Sequence, residues 1–117
     1  MSQGETTIER VLTAVELVPP GCVVSYGDLG ELVGTSARRV GAVLKAYGHG
    51  VPWWRVTNAA GELPLALLDE ARACWRREGI GLSRSGRGCR IGDHRADLAE
   101  LGTAYAAWER ANDLPVL

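Results

Sequence analysis

The stretch SYGDLGELVGTSARRVGAVLKAYG, residues 25–48, constrains this chain more than any other. Two short apolar-striped segments flank a break at Gly34 and Thr35. Ser25 is followed by Asp28 at capping-box spacing, which predicts a helix start, and Gly34 suits a left-handed helix end. The second segment starts again at Thr35 or Ser36 and ends at Gly48. Val40, Val43, Leu44 and Tyr47 fall on one side of it, leaving Arg38, Arg39 and Lys45 free to face away. Two short helices joined by about two residues predict a helix-turn-helix.

The flanking sequence predicts more helix. TTIERVLTAVELVPP carries an apolar stripe of Ile8, Val11, Leu12, Val15 and Val18, with Thr6 and Glu9 at capping-box spacing and Pro19–Pro20 as a stop. GCVV reads as a short extended link. YGHGVPWW reads as loop, and Asn58 to Gly61 as a turn. LALLDEARACWRREG predicts a helix with Leu67, Leu68, Ala71, Cys74 and Trp75 inward and Gly79 as its stop. A glycine- and arginine-rich connection, RSGRGCRIGDHR, leads to a last helix with Leu98, Leu101, Tyr105 and Trp108 at helical spacing.

Charge is segregated, although the 117 residues sum to −1. Residues 1–35 hold five acids and one base, whereas residues 36–58 hold Arg38, Arg39, Lys45 and Arg55 and no acid. Clustering of this kind attracts phosphate more than net charge does. Cys22, Cys74 and Cys89 show no CxxC spacing, which argues against a zinc site and a disulfide framework, and His49 and His94 read as loop residues without paired ligands. No metal or other cofactor is expected. The N-terminus lacks a signal-peptide pattern and no apolar run suits a membrane span, so the expected location is cytoplasmic, nucleoid-associated in a bacterium, with no membrane partner.

The stretch VPWWRV, residues 51–56, places two tryptophans side by side in this basic block. SYGDL, ARRVG and PWWRV occur in that order over residues 24–56, and the block resembles the DNA-binding domain of O6-alkylguanine-DNA alkyltransferases, with likeness over about residues 6–80. In that family the third motif is PCHRV, with a reactive cysteine and an activating histidine. Here Trp53 and Trp54 stand at those places. The family reaction needs a thiolate, which an indole cannot replace. The resemblance therefore points to the non-enzymatic alkyltransferase-like proteins, which bind alkylated guanine and pass it to nucleotide-excision repair.

That resemblance implies a mainly α fold: a winged-helix-like helix-turn-helix domain of the alkyltransferase C-terminal type over residues 1–83. Residues 84–117 lie outside that resemblance and are expected to be a helical C-terminal extension that could pack on the domain. The resemblance implies a lesion pocket formed by Trp53, Tyr26, Trp54, Val51, Pro52 and Arg55, with no catalytic residue. Arg38, by the ARxVG register, would enter the base stack; Ser25, Ser36, Arg39 and Lys45 would contact the DNA backbone. Tyr26 would promote rotation of the target nucleotide and Arg55 would organise the loop. The small residues Ala37, Gly41 and Ala42 would let the recognition helix enter the minor groove. Glu78 matches a family glutamate that completes the Cys-His relay, and the loop GELPLALL lacks an arginine that some relatives carry over the flipped base. The expected partners are double-stranded DNA containing alkylated guanine and nucleotide-excision repair proteins, with the chain a monomer. Three other readings stay open: a helix-turn-helix transcription regulator, an active alkyltransferase using Cys22 or Cys74, or a protein-interaction module with an incidental basic patch.

Overall fold

A computed structural model describes residues 3–112 and Leu114, with side chains from Thr6 onward. The chain runs α1 (Gln3–Leu17), β1 (Val24–Ser25), α2 (Tyr26–Val33), α3 (Ala37–Tyr47), β2 (Val56–Thr57), α4 (Leu68–Glu78), α5 (Ile91–His94) and α6 (Leu98–Ala111). Short 3-10 turns at Gly48–Gly50, Trp53–Arg55 and Leu65–Leu67 fill the links. No described helix is long and apolar enough to cross a membrane.

The predicted helix-turn-helix forms as its caps dictate. Ser25 Oγ accepts the Asp28 amide and Asp28 Oδ2 accepts the Ser25 amide, closing the capping box of α2. Gly34 ends α2 at φ 86°, a left-handed conformation that costs a side-chain-bearing residue about 1 kcal/mol or more. Ser36 then caps α3 by accepting the Arg39 amide. The two helices cross closely at Gly30, where an added Cβ would stand 2.8 Å from the Thr35 carbonyl oxygen. Gly30→Ala must push the turn away from α2, so it is expected to destabilise the fold by about 1–3 kcal/mol. Urea unfolding of the variant checks this.

Two apolar clusters organise the molecule. The first joins α1, α2 and α3 through Val11, Val15, Val18, Leu29, Val33, Val40 and Val43, and takes in Val51, Val56, Ala96, Leu101 and Tyr105. The second gathers Val23, Leu63, Leu68, Ala71, Trp75, Ile80 and Cys89, with Tyr26, Trp53, Trp54, Leu82 and Ile91 packed against it. A two-stranded parallel sheet pairs Val24 with Val56 and Ser25 with Thr57, tying the start of α2 to the end of the tryptophan loop. Residues 89–105 thus pack within the same clusters as α1–α4. Arg10 of α1, 1% exposed, donates to Tyr105 OH at 3.1 Å and pairs with Glu109 of α6.

Three local expectations need correction. Helix α1 spans Gln3–Leu17, so Thr6 and Glu9 lie inside it rather than forming a capping box; Gln3, Gly4 and Glu5 carry the helical backbone ahead of Thr6. Leu67 is 39% exposed because it belongs to the tighter 3-10 turn before α4, which rotates it off the buried side. His94 closes the short helix α5 rather than lying in a loop, whereas Val24 is extended as expected and pairs in β1. Leu98 lies in the last helix as expected, as the first residue of α6 directly after the Asp97 cap, and is 42% exposed.

Candidate nucleic-acid interface

Helix α3 presents a charged face opposite its buried one. Val40 and Val43 point into the first cluster, while Arg38 and Lys45, seven residues apart, share the exposed side. Ala42 and Gly41 lie between them, and a Cβ added at Gly41 would meet nothing within 4 Å. Internal packing therefore does not require this glycine, which costs a helix roughly 1 kcal/mol against alanine. Arg38, Arg39 and Lys45 make no ion pair among the described residues, and Ser36, at the helix start, is exposed. Ser25 differs from the other expected backbone contacts: it is 9% exposed and its hydroxyl is engaged in the α2 cap.

The tryptophan loop connects this helix to the second cluster. Trp53 opens a single 3-10 turn, and both indoles are half-buried, meeting edge to face with centroids 5.7 Å apart. Trp53 packs with Tyr26 against the second cluster and keeps part of its surface open. Burial pushes the Tyr26 hydroxyl above its ordinary range, so it stays protonated at neutral pH. Val51 is 8% exposed and belongs to the first core, supporting the loop from beneath. A shallow concavity of about 440 Å³ holds Val51, Pro52, Trp54 and Arg55 together with Glu16 and His49, and Trp53 and Tyr26 do not line it. The six pocket residues expected from sequence thus divide into two groups, Val51, Pro52, Trp54 and Arg55 around this concavity and Trp53 with Tyr26 of α2 against the second cluster.

Glu78 holds the loop in place. Its Oε2 accepts Trp54 Nε1 at 2.8 Å and Arg55 Nη2 at 2.8 Å, while Oε1 accepts Arg55 Nε at 3.0 Å and the Gly21 amide at 2.9 Å. Arg55 Nη1 also donates to the Val18 carbonyl at 3.0 Å, and its guanidinium lies 5.6 Å from the centre of the Trp54 ring. Trp75 Nε1 donates to the Trp54 carbonyl at 2.8 Å. Burial alone would raise the Glu78 carboxyl, but hydrogen bonds from Arg55, Gly21 and Trp54, with the Arg55 charge, outweigh it and hold the pKa below its ordinary value. A histidine at position 54 could donate one N–H to this carboxylate; the indole does the same while offering no basic nitrogen. Sequence reasoning left the role of Glu78 open because its motif partners are absent; Trp54 Nε1 was the available signal.

The cysteines lie elsewhere. Cys74 and Cys89 are 4% and 1% exposed, and burial pushes the Cys89 thiol up to about 11. Cys22 is half-buried against the first core. None belongs to the tryptophan loop, and a buried neutral thiol is a poor nucleophile. Among the described residues, no group of three or more His, Cys, Asp and Glu side chains could hold a metal ion.

Comparison with known proteins fits this geometry. Residues 6–80 match the family described as "6-O-methylguanine DNA methyltransferase, DNA binding domain". The chain is 37% identical over 93 residues to a DNA base-flipping protein of Escherichia coli, covering 74% of this chain and 72% of that protein. It is 48% identical over 68 residues to a DNA base-flipping protein of Thermus thermophilus, covering 56% of this chain and 46% of that protein. The crystal structure of S. pombe Atl1 in complex with damaged DNA containing O6-carboxymethylguanine superposes with a TM-score of 0.69 at 25% identity, over 81% of this chain and 97% of that one. The chain belongs to the 6-O-methylguanine DNA methyltransferase DNA-binding family, as an alkyltransferase-like member with Trp53 at the place of the reactive cysteine.

Proposed function

We propose that this protein binds O6-alkylguanine in double-stranded DNA by flipping the base against Trp53 and leaves the alkyl group in place. The carrying observation is the half-open Trp53 indole, set on a pinned loop and packed with Tyr26 against the second cluster, in a chain whose α3 exposes Arg38 and Lys45 with no ion pair among the described residues. A base inside a duplex cannot reach such a surface without leaving the stack, at a cost of a few kcal/mol. Arg38, at the exposed start of α3, is long, flat and permanently charged, which suits it to filling the vacated stack and bonding the orphaned partner. Arg39, Lys45 and Ser36 would contact phosphates. Trp53 then offers a π-face to the purine and apolar surface to its alkyl group.

The loop holds without reacting: it carries two indoles and no thiol, and Glu78 is already saturated by Trp54, Arg55 and Gly21. A protein that captures a lesion and cannot remove it needs a further activity, and the bound complex would act as the signal for nucleotide-excision repair. The chain would act as a monomer, one molecule per lesion.

A binding titration tests this. Duplexes carrying O6-methylguanine or guanine at one position are compared at a fixed salt concentration, because phosphate-driven affinity depends steeply on salt. The expected result is a clear preference for the lesion, with the O6-methylguanine content and the intact protein mass both unchanged after incubation. Arg38→Ala is expected to abolish most of that preference. Equal affinity for both duplexes, or an added alkyl mass on any cysteine, would refute the proposal.

A further inference from the structure

Outside α3, the described structure builds a second concentration of unpaired positive charge. Residues 84–117 balance five bases against five acids, which hides a local excess: residues 84–90 hold Arg84, Arg87 and Arg90 and no acid. These residues form a compact hairpin. Leu82 bridges Cys89 in antiparallel fashion, the Ser83 amide donates to the Gly88 carbonyl at 2.8 Å, and the Gly86 amide donates to the Ser83 carbonyl at 2.9 Å. Gly86 turns the tip at φ 75°. The Ser85 hydroxyl accepts the Arg87 amide at 3.2 Å, and the Ser83 hydroxyl accepts the Gly88 amide at 3.2 Å. The Arg72 guanidinium of α4 clamps the Gly86 carbonyl from behind, adding another positive charge.

The hairpin is fixed to the body at its stem. The Cys89 amide donates to the Gly61 carbonyl at 2.9 Å and Glu62 bridges Gly88. Cys89 lies in the second cluster, and Leu82 and Ile91 pack against it, as do Trp53, Trp54 and Tyr26. The tryptophan loop therefore lies between two supports: Val51 and Val56 anchor it to the cluster that carries α3, and Trp53 and Trp54 rest on the cluster that carries the hairpin. At the tip, Arg84 and Arg87 are exposed and make no ion pair among the described residues, and Glu62 across the ladder pairs with neither. Arg90 differs, since its Nε is engaged with the Leu82 carbonyl at 3.1 Å. Two permanently charged side chains on a hydrogen-bonded turn of serine and glycine have room to meet a phosphate, and no acid among the described residues is paired with them.

We propose that this hairpin is a second DNA-contacting element, in which Arg84 and Arg87 bind backbone phosphates on the far side of the lesion pocket from α3. It rests on the reading that the chain binds DNA at Trp53, and it adds an anchor for the strand that the flipped base leaves. The residues lie beyond the matched 6–80 segment.

The test is the salt dependence of binding to the guanine and O6-methylguanine duplexes. Each lost phosphate contact removes about 0.9 from the slope of log affinity against log salt. Arg84→Gln with Arg87→Gln is expected to lower that slope by about two on both duplexes, leaving the ratio of the two affinities unchanged. Arg84→Lys with Arg87→Lys is expected to keep the slope, because phosphate attraction needs the charge rather than the fork. Neither side chain makes an internal hydrogen bond among the described residues, so the melting temperature stays that of the parent. A slope unchanged in the glutamine variant overturns the proposal, as does a lysine variant that loses as much as the glutamine one. Failure of the lesion reading would show separately, as equal affinity of the parent protein for the two duplexes; the slope on undamaged DNA tests the hairpin in either case.

Discussion

Trp53→Ala is expected to weaken binding to an O6-methylguanine duplex by about 5- to 150-fold, the range given by about 1–3 kcal/mol for one base stacked on an aromatic ring. Binding to the undamaged duplex is expected to change by less than about twofold, because sequence-independent affinity comes from phosphate contacts of the kind Arg38, Arg39 and Lys45 can make. Trp53→Phe keeps a π-face and should retain most of the preference. Because Trp53 is half-buried, alanine also removes packing against the second cluster. The melting temperature of the variant, measured beside its affinity, separates that loss from the loss of the base. Equal weakening on both duplexes would mean that Trp53 serves the fold alone.

What the sequence disclosed and what it hid divide along contact range. The helix-turn-helix was legible because its signals are local: Ser25 with Asp28, Gly34 at the break and Ser36 at the restart each act within a few residues. The charged face of α3 was legible by the same periodicity. The parallel pairing of Val24 with Val56 was not, since two-residue strands carry no alternation to read. Nor was the ion pair between Arg10 and Glu109, 99 positions apart, because a polar residue within a helix stripe reads as exposed until its partner is known. Leu67 was misplaced for the related reason that a helix end obeys the turn before it rather than the stripe. At the site, the motif register put Trp53 at the place of the reactive cysteine and gave Trp54 only the space of the histidine, with no hydrogen-bond partner named. The fold supplies that partner: Trp54 faces Glu78 and Arg55, and it meets Trp53 only edge to face.

That network carries the second large expectation, a loss of stability in Glu78→Ala of about 3–5 kcal/mol, the cost typical of breaking a buried pair from one side. Arg55 and Glu78 are each 12% exposed, so the alanine variant strands a guanidinium that water reaches poorly. It also leaves Trp54 Nε1 and the Gly21 amide without their acceptor. Against a typical total of about 5–15 kcal/mol for a domain, such a loss brings the chain near unfolding. Glu78→Gln keeps the shape but turns an amide donor toward donors, so it should lose less than alanine and more than a surface change. Acid titration separates the charge from the packing. The folded Glu78 pKa lies below its ordinary 4.5, so its stabilisation is complete above that value and is lost as pH falls through the folded pKa. Urea unfolding from pH 7 to pH 3 should therefore show a steeper acid decline in the parent than in Glu78→Gln, the two curves converging at the acid end. Parallel curves would mean that the carboxylate is not engaged as the geometry shows. Arg55→Met with Glu78→Leu should be less destabilised than the sum of the two single changes, because removing both charges leaves neither one stranded. Should that repacked double variant keep its stability yet lose lesion preference, the ion pair's purpose is to aim the Trp53 turn rather than to hold the fold together.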